Sequence, residues 1–133
     1  KDKQRVEKWS TEDAMNGVKK SFEDAALAGY DLIHVDPTVD INVAKGDVID
    51  IHVVVRRTVE LIKHVEDFRA ANNLPEISYE VGTEEVHGGL ADETTFDTFL
   101  TELKSGLAEV SLHLPLYTPP MIKAEPNGLT PPF

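Results

Sequence analysis

Asp31-Leu32-Ile33-His34-Val35-Asp36-Pro37-Thr38 is a short apolar stretch that ends in a carboxylate and a proline turn. A second stretch, Ile77-Ser78-Tyr79-Glu80-Val81-Gly82, runs into Thr83-Glu84-Glu85-Val86-His87-Gly88-Gly89. Each reads as a strand that carries the chain inward and then opens into a polar loop. α/β proteins assemble their sites at such strand carboxyl ends.

The segments around the two stretches read as helices. Ser10 or Thr11 caps the first, with Glu12 and Asp13 in the turn where the helix dipole favours acids. Met15, Val18, Phe22, Ala25 and Ala26 make one apolar face. Gly29 stands where a left-handed residue ends a helix. Trp9 is placed to pack back on this helix. Between the stretches, Pro37 opens a polar loop over 37–46. A long helix is predicted from about Asp47 or Asp50 to Ala71. Val54, Thr58, Leu61, Ile62, Val65 and Phe68 recur at helical steps, which outweighs the β-branched run Val53-Val54-Val55. Asn72-Asn73 and Pro75 stop it. A third helix is predicted from about Asp92 or Thr94 to Leu107, with Phe96, Phe99, Leu100 and Leu103 on one face. The order α-β-α-β-α predicts parallel strands joined by right-handed crossovers.

The C-terminal end differs. Six of the eight prolines fall in residues 111–133. Val110–Leu114 reads as the start of a third strand. Beyond Pro115 the expectation is extended or irregular chain, since each proline removes a ladder donor and blocks helix.

Composition narrows the function. The chain has 133 residues, 41% hydrophobic and 28% charged, as a globular domain does. With 24 acidic against 13 basic residues the net charge is −11. Nucleic acid and anionic membrane surfaces are therefore not expected partners. There is no cysteine, which removes disulfides, thiolate catalysis and zinc-thiolate sites. With no long apolar run, the expected location is the cytoplasm.

Several groups could do chemistry. In a strand His34 and Asp36 point the same way. They could ligate a divalent metal or handle protons. Alternatively, Asp36 caps the Asp-Pro turn and His34 is a satisfied buried histidine. Thr83, Glu84, Glu85 and His87 crowd one loop and could bind a cation. Gly88-Gly89 lets backbone approach a ligand; the alternative is a solvated acidic loop. Arg56-Arg57 reads as a solvent-facing pair, of which one arginine could meet a phosphate. His52 and His64 are too far apart for one metal site. No P-loop, dinucleotide fingerprint, zinc-protease helix or nucleophile elbow is present.

Ala28-Gly29-Tyr30-Asp31-Leu32-Ile33-His34-Val35-Asp36 and Tyr79-Glu80-Val81-Gly82-Thr83-Glu84-Glu85-Val86-His87-Gly88-Gly89 resemble two motifs of the class II tagatose-bisphosphate aldolase non-catalytic subunit family and related sugar-acid epimerases. The intervening helix, with Arg57, Glu60 and Leu61, fits as well, so the resemblance covers about residues 10–107. It implies a fragment of a (β/α)8 barrel over residues 1–109, followed by a proline-rich tail over 110–133. It implies metabolism of a sugar phosphate or sugar acid, by aldol cleavage or epimerisation, with a divalent metal such as zinc. Carried over, Asp36 and Glu84 are the catalytic acids. His34 stands beside them. With the chemistry of the loop itself, the candidate metal ligands are His34, Asp36, Glu84 and His87, and the candidate substrate contacts are Thr83, Gly88 and Gly89. Pro37-Thr38-Val39 and His87 depart from the family's pattern. A whole barrel takes about 250 residues. This chain corresponds to middle segments, and open strand edges predict association with another copy or a partner aldolase subunit. Two alternatives stand beside catalysis. One is a non-catalytic subunit supporting a partner aldolase. The other is a truncated fragment with an unrelated hydrolytic or binding role.

Overall fold

A computed structural model of the chain describes residues 6–44, 47–82, 93–112 and 122–125. Among the described residues three helices alternate with three strands: α1 (Thr11–Leu27), β1 (Leu32–Val35), α2 (Ile51–Ala71), β2 (Ser78–Gly82), α3 (Glu93–Leu112) and β3 (Ile122–Glu125). The strands form one parallel sheet in the order β1-β2-β3.

Local chemistry explains the helix boundaries. Ser10 and Asp13 form a reciprocal capping box at the start of α1, each side chain accepting from the other's backbone N–H. Gly29 ends the turn after α1 with φ +85°, a conformation open to glycine and costly for other residues. Asp50 caps α2 by accepting from the His52 N–H at 2.8 Å. Asn73 leaves α2 in the left-handed region, φ 53°, which asparagine tolerates better than most residues. Trp9 does pack back on α1: its ring lies against Gly17.

The core is a single cluster. Ile33 and Val35 of β1, and Tyr79 and Val81 of β2, meet Val54, Val55, Leu61, Ile62 and Val65 of α2 and Phe99, Leu103 and Leu107 of α3. Each fully buried aliphatic or phenyl side chain contributes roughly 1.5–3 kcal/mol. The alternate strand residues, Leu32, His34, Ser78, Glu80 and Gly82, are exposed or half-buried. The helices therefore cover one face of the sheet, and the His34 face carries the polar groups.

Among the described residues two polar or charged side chains, Thr58 and Glu66, lie inside the core. The Thr58 hydroxyl donates to the Val54 carbonyl at 2.9 Å. Glu66, 1% exposed, accepts from the Tyr79 hydroxyl at 2.7 Å and from Arg69 at 2.7 Å and 3.1 Å. Both oxygens of this carboxylate accept a hydrogen bond, which a buried charge requires. Glu66 raises the Arg69 pKa above its ordinary value, chiefly through this hydrogen bond.

Two expectations about the C-terminal part are corrected. Val110 does not begin a strand: α3 continues through it to Leu112, five residues past the predicted end. The apolar spacing Leu103, Leu107, Val110 carries the helical face onward, and all three are buried. The segment beyond Pro115, expected to be extended or irregular without ladder pairing, contributes a paired strand. Ile122–Glu125, between Pro120 and Pro126, pairs parallel to β2 from Tyr79↔Ile122 to Gly82↔Glu125. The prolines flank this strand and leave its own N–H groups intact.

Candidate functional site

The carboxyl ends of β1 and β2 lie side by side, with His34 opposite Glu80 and Val35 opposite Val81. His34 points away from the core, its side chain 56% exposed, so it is not the buried histidine weighed from sequence. Its Nδ1 is 3.6 Å from Glu80 Oε2, an electrostatic contact longer than a direct hydrogen bond. The ring rests over Gly82, where a Cβ would lie 2.7 Å from His34 Nε2 and 3.6 Å from Asp36 Oδ2. His34, Glu80, Asp36 and Gly82 therefore share one corner of the sheet.

Asp36 holds the turn that follows β1. Its Oδ1 accepts the Thr38 N–H at 3.0 Å and the Thr38 hydroxyl at 2.5 Å. The turn-capping role read from the Asp-Pro sequence is present, and the carboxylate stands beside His34 as well.

The loop then delivers Asp40, which the sequence reading did not single out. Its carboxylate accepts from the Asn42 N–H at 2.8 Å, from Arg57 Nη2 at 2.6 Å and from the Thr11 hydroxyl at 3.3 Å. Only 7% of the Asp40 side chain is exposed and 16% of that of Arg57. Burial acts to raise the Asp40 pKa, but the Asn42 N–H and Arg57 outweigh it and hold the carboxyl below its ordinary value. Arg57 is therefore not a solvent-facing residue: it is engaged with Asp40, while Arg56 is exposed. This pair locks the β1–α2 loop to the start of α1 and to α2.

Between α1, this loop and α2 lies a cavity of about 290 Å³. His34, Asp36, Asp40 and Arg57 line it together with Met15, Val18 and Phe22.

Among the described residues the other two histidines join helices. His52 Nδ1 is 2.8 Å from Glu102 on α3, and His64 Nε2 is 2.8 Å from Glu23 on α1. Glu84, His87, Thr83, Gly88 and Gly89 lie outside the described residues. Of the expected metal ligands, the structure thus brings His34 and Asp36 together. Among the described residues no group of three or more His, Cys, Asp or Glu is arranged to hold a metal ion. Glu80, like Asp40, is a site residue that sequence reasoning missed. Its signal was present: it is two residues before Gly82, on the same face of β2.

Comparison with family models, with curated proteins and with solved structures found no match to this chain. Among the described residues no helix is long and apolar enough to cross a membrane.

Proposed function

We propose that the chain acts in carbohydrate metabolism in the cytoplasm, on a ketose phosphate or sugar acid, as an aldolase- or epimerase-like protein of the barrel type. The observation that carries this reading is His34, flanked by Glu80 and Asp36, at the carboxyl ends of adjacent parallel strands. Sequential strand order with helices on one face also supports it, since a singly wound barrel is built that way. The motif resemblance at the same two strand ends supplies the substrate class.

Both aldol cleavage and epimerisation require a proton to move next to a carbonyl. An exposed imidazole placed by a carboxylate can accept and return that proton. His34 takes that role here, with Glu80 setting its orientation and Asp36 beside it. A divalent ion such as zinc would polarise the carbonyl. Among the described residues no third group is arranged with His34 and Asp36 to hold it, and one oxygen of Asp36 already caps a turn. Two such donors fall short of a metal site, so no step is routed through an ion.

The test is deuterium exchange. The purified chain is incubated in D2O with ketose phosphates and sugar acids, with and without added zinc, and exchange next to the carbonyl is followed by proton NMR. Exchange is expected, falling roughly 10²-fold or more in His34→Asn, the usual scale of general acid–base catalysis. No exchange with any substrate sinks the catalytic reading.

A second reading is a non-catalytic subunit associating with a partner aldolase or another copy. It is favoured by the position of β1 at the sheet edge and by exposed Leu27, Tyr30 and Leu32 around it. A folded monomer that binds neither partner would remove it.

A further inference from the structure

The cavity between α1, the β1–α2 loop and α2 has a chemistry that does not match a sugar. Met15, Val18 and Phe22 of α1 face Leu61 of α2 across it, and Val39 and Ile41 of the loop complete its apolar lining. A ligand covered in hydroxyls would leave polar groups unpaired against these walls, which is costly. At about 290 Å³ the space is at the small end of the range for small-molecule sites, roughly 300–1,000 Å³. It takes an apolar body of about one ring.

The charged residues of the lining define the head group. Asp40 accepts from Arg57, Thr11 and Asn42, so its capacity is largely used. Arg57 is different. A guanidinium carries five N–H donors. Among the described residues, the hydrogen bond of Arg57 is the one from Nη2 to Asp40. The remaining donors call for an acceptor. An anion would meet the carboxylates of Asp36 and Asp40 as well, two negative charges against one arginine. A cation would bring further donors to an arginine that lacks acceptors. A neutral oxygen meets neither penalty.

We propose that this cavity binds a small uncharged molecule with an apolar body and one carbonyl or hydroxyl oxygen, which accepts from Arg57. His34 and Asp36 line the same cavity, so a ligand held by Arg57 would sit beside the imidazole. The proposal does not rest on the carbohydrate reading.

Cyclohexanone is the probe, titrated into the isotope-labelled 133-residue chain and followed by NMR. Cyclohexanecarboxylate and cyclohexylamine are the charged comparators. The Met15, Val18 and Leu61 methyl signals are expected to shift saturably with cyclohexanone. The two charged compounds are expected to bind at least tenfold more weakly. Ala14 lines the cavity, and Ala14→Leu keeps a helix former while filling the space. It is expected to abolish the shifts. Arg57→Lys keeps the charge beside Asp40 but removes the planar fork, and is expected to weaken binding about tenfold. The proposal is overturned if wild-type signals do not move. It is equally overturned if charged comparators bind as tightly as the ketone, a result that needs no variant to fold. Substrate proton exchange is not read in this titration, so the two proposals fail separately.

Discussion

The imidazole of His34 lies over the bare α-carbon of Gly82, so close that a methyl group there would sit 2.7 Å from Nε2. Gly82→Ala must therefore swing the ring away. The His34 side chain is 56% exposed and has room to move, so stability should change little, within about 0.5 kcal/mol. The contact with Glu80 should be lost. The expected result is an altered His34 ring signal in NMR and about a tenfold drop in substrate proton exchange, at an unchanged melting temperature. An unchanged ring signal would show that Gly82 does not position His34.

The buried carboxylate of Glu66 ranks a second set of variants. Tyr79→Phe removes one donor to it and should cost about 1–3 kcal/mol. Arg69→Met leaves the charge buried without its partner and should cost more, about 3–5 kcal/mol. Replacing all three, as Glu66→Met, Arg69→Met and Tyr79→Phe, should recover much of the loss, because no buried charge is then stranded and only the part-buried Leu74 carbonyl loses its Arg69 donor. Urea unfolding of the three proteins measures the order. A triple variant weaker than Arg69→Met alone would overturn this account.

Helices α2 and α3 approach closely at Gly106, where a Cβ would lie 2.7 Å from Val59 Cγ2. Gly106→Ala gains helix propensity of about 1 kcal/mol. Overpacking works against it by about 1–3 kcal/mol. Net destabilisation is expected, and Val59→Ala in the same chain should restore the propensity gain. A double-variant cycle by thermal unfolding should give a favourable coupling between the two substitutions; additivity would mean the helices simply shift apart.

His52 introduces a pH dependence. Its hydrogen bond with Glu102 raises its pKa above the ordinary 6.5. The folded protein thus holds the proton more tightly than the unfolded chain. This contribution is complete below about pH 6.5 and fades as pH rises through the raised folded value. Both partners are substantially exposed, so the effect is small and weakens with salt. Melting temperatures between pH 5 and 9 at low salt should decline less steeply in His52→Gln than in the parent. Identical slopes would remove His52 from the pH dependence.

The helices were readable because their signals are local. Ser10 with Asp13, Asp50, and the steps from Val54 to Val65 all act within a few residues of one another. The outward direction of His34 was likewise readable from strand alternation. What could not be read depends on distant partners. β3 has four residues, and its parallel pairing is to a strand about forty residues earlier. The end of α3 misled because Val110 and the prolines beyond it suggest a strand, while its burial is decided by the long-range core. Asp40 and Arg57 are 17 positions apart, a separation at which no sequence period marks a pair. Glu80 becomes part of the site only once β2 is set in register with β1.

The contacts among Glu66, Arg69 and Tyr79 also constrain how this chain can change over generations. A sequence that loses the arginine alone keeps a stranded negative charge inside the protein. A sequence that loses the tyrosine alone keeps a carboxylate short of a donor. Single steps away from the trio are therefore uphill, and the three positions should be inherited as a block. Among descendants of this chain, they should either all persist or all have been exchanged for apolar residues, with few intermediates between.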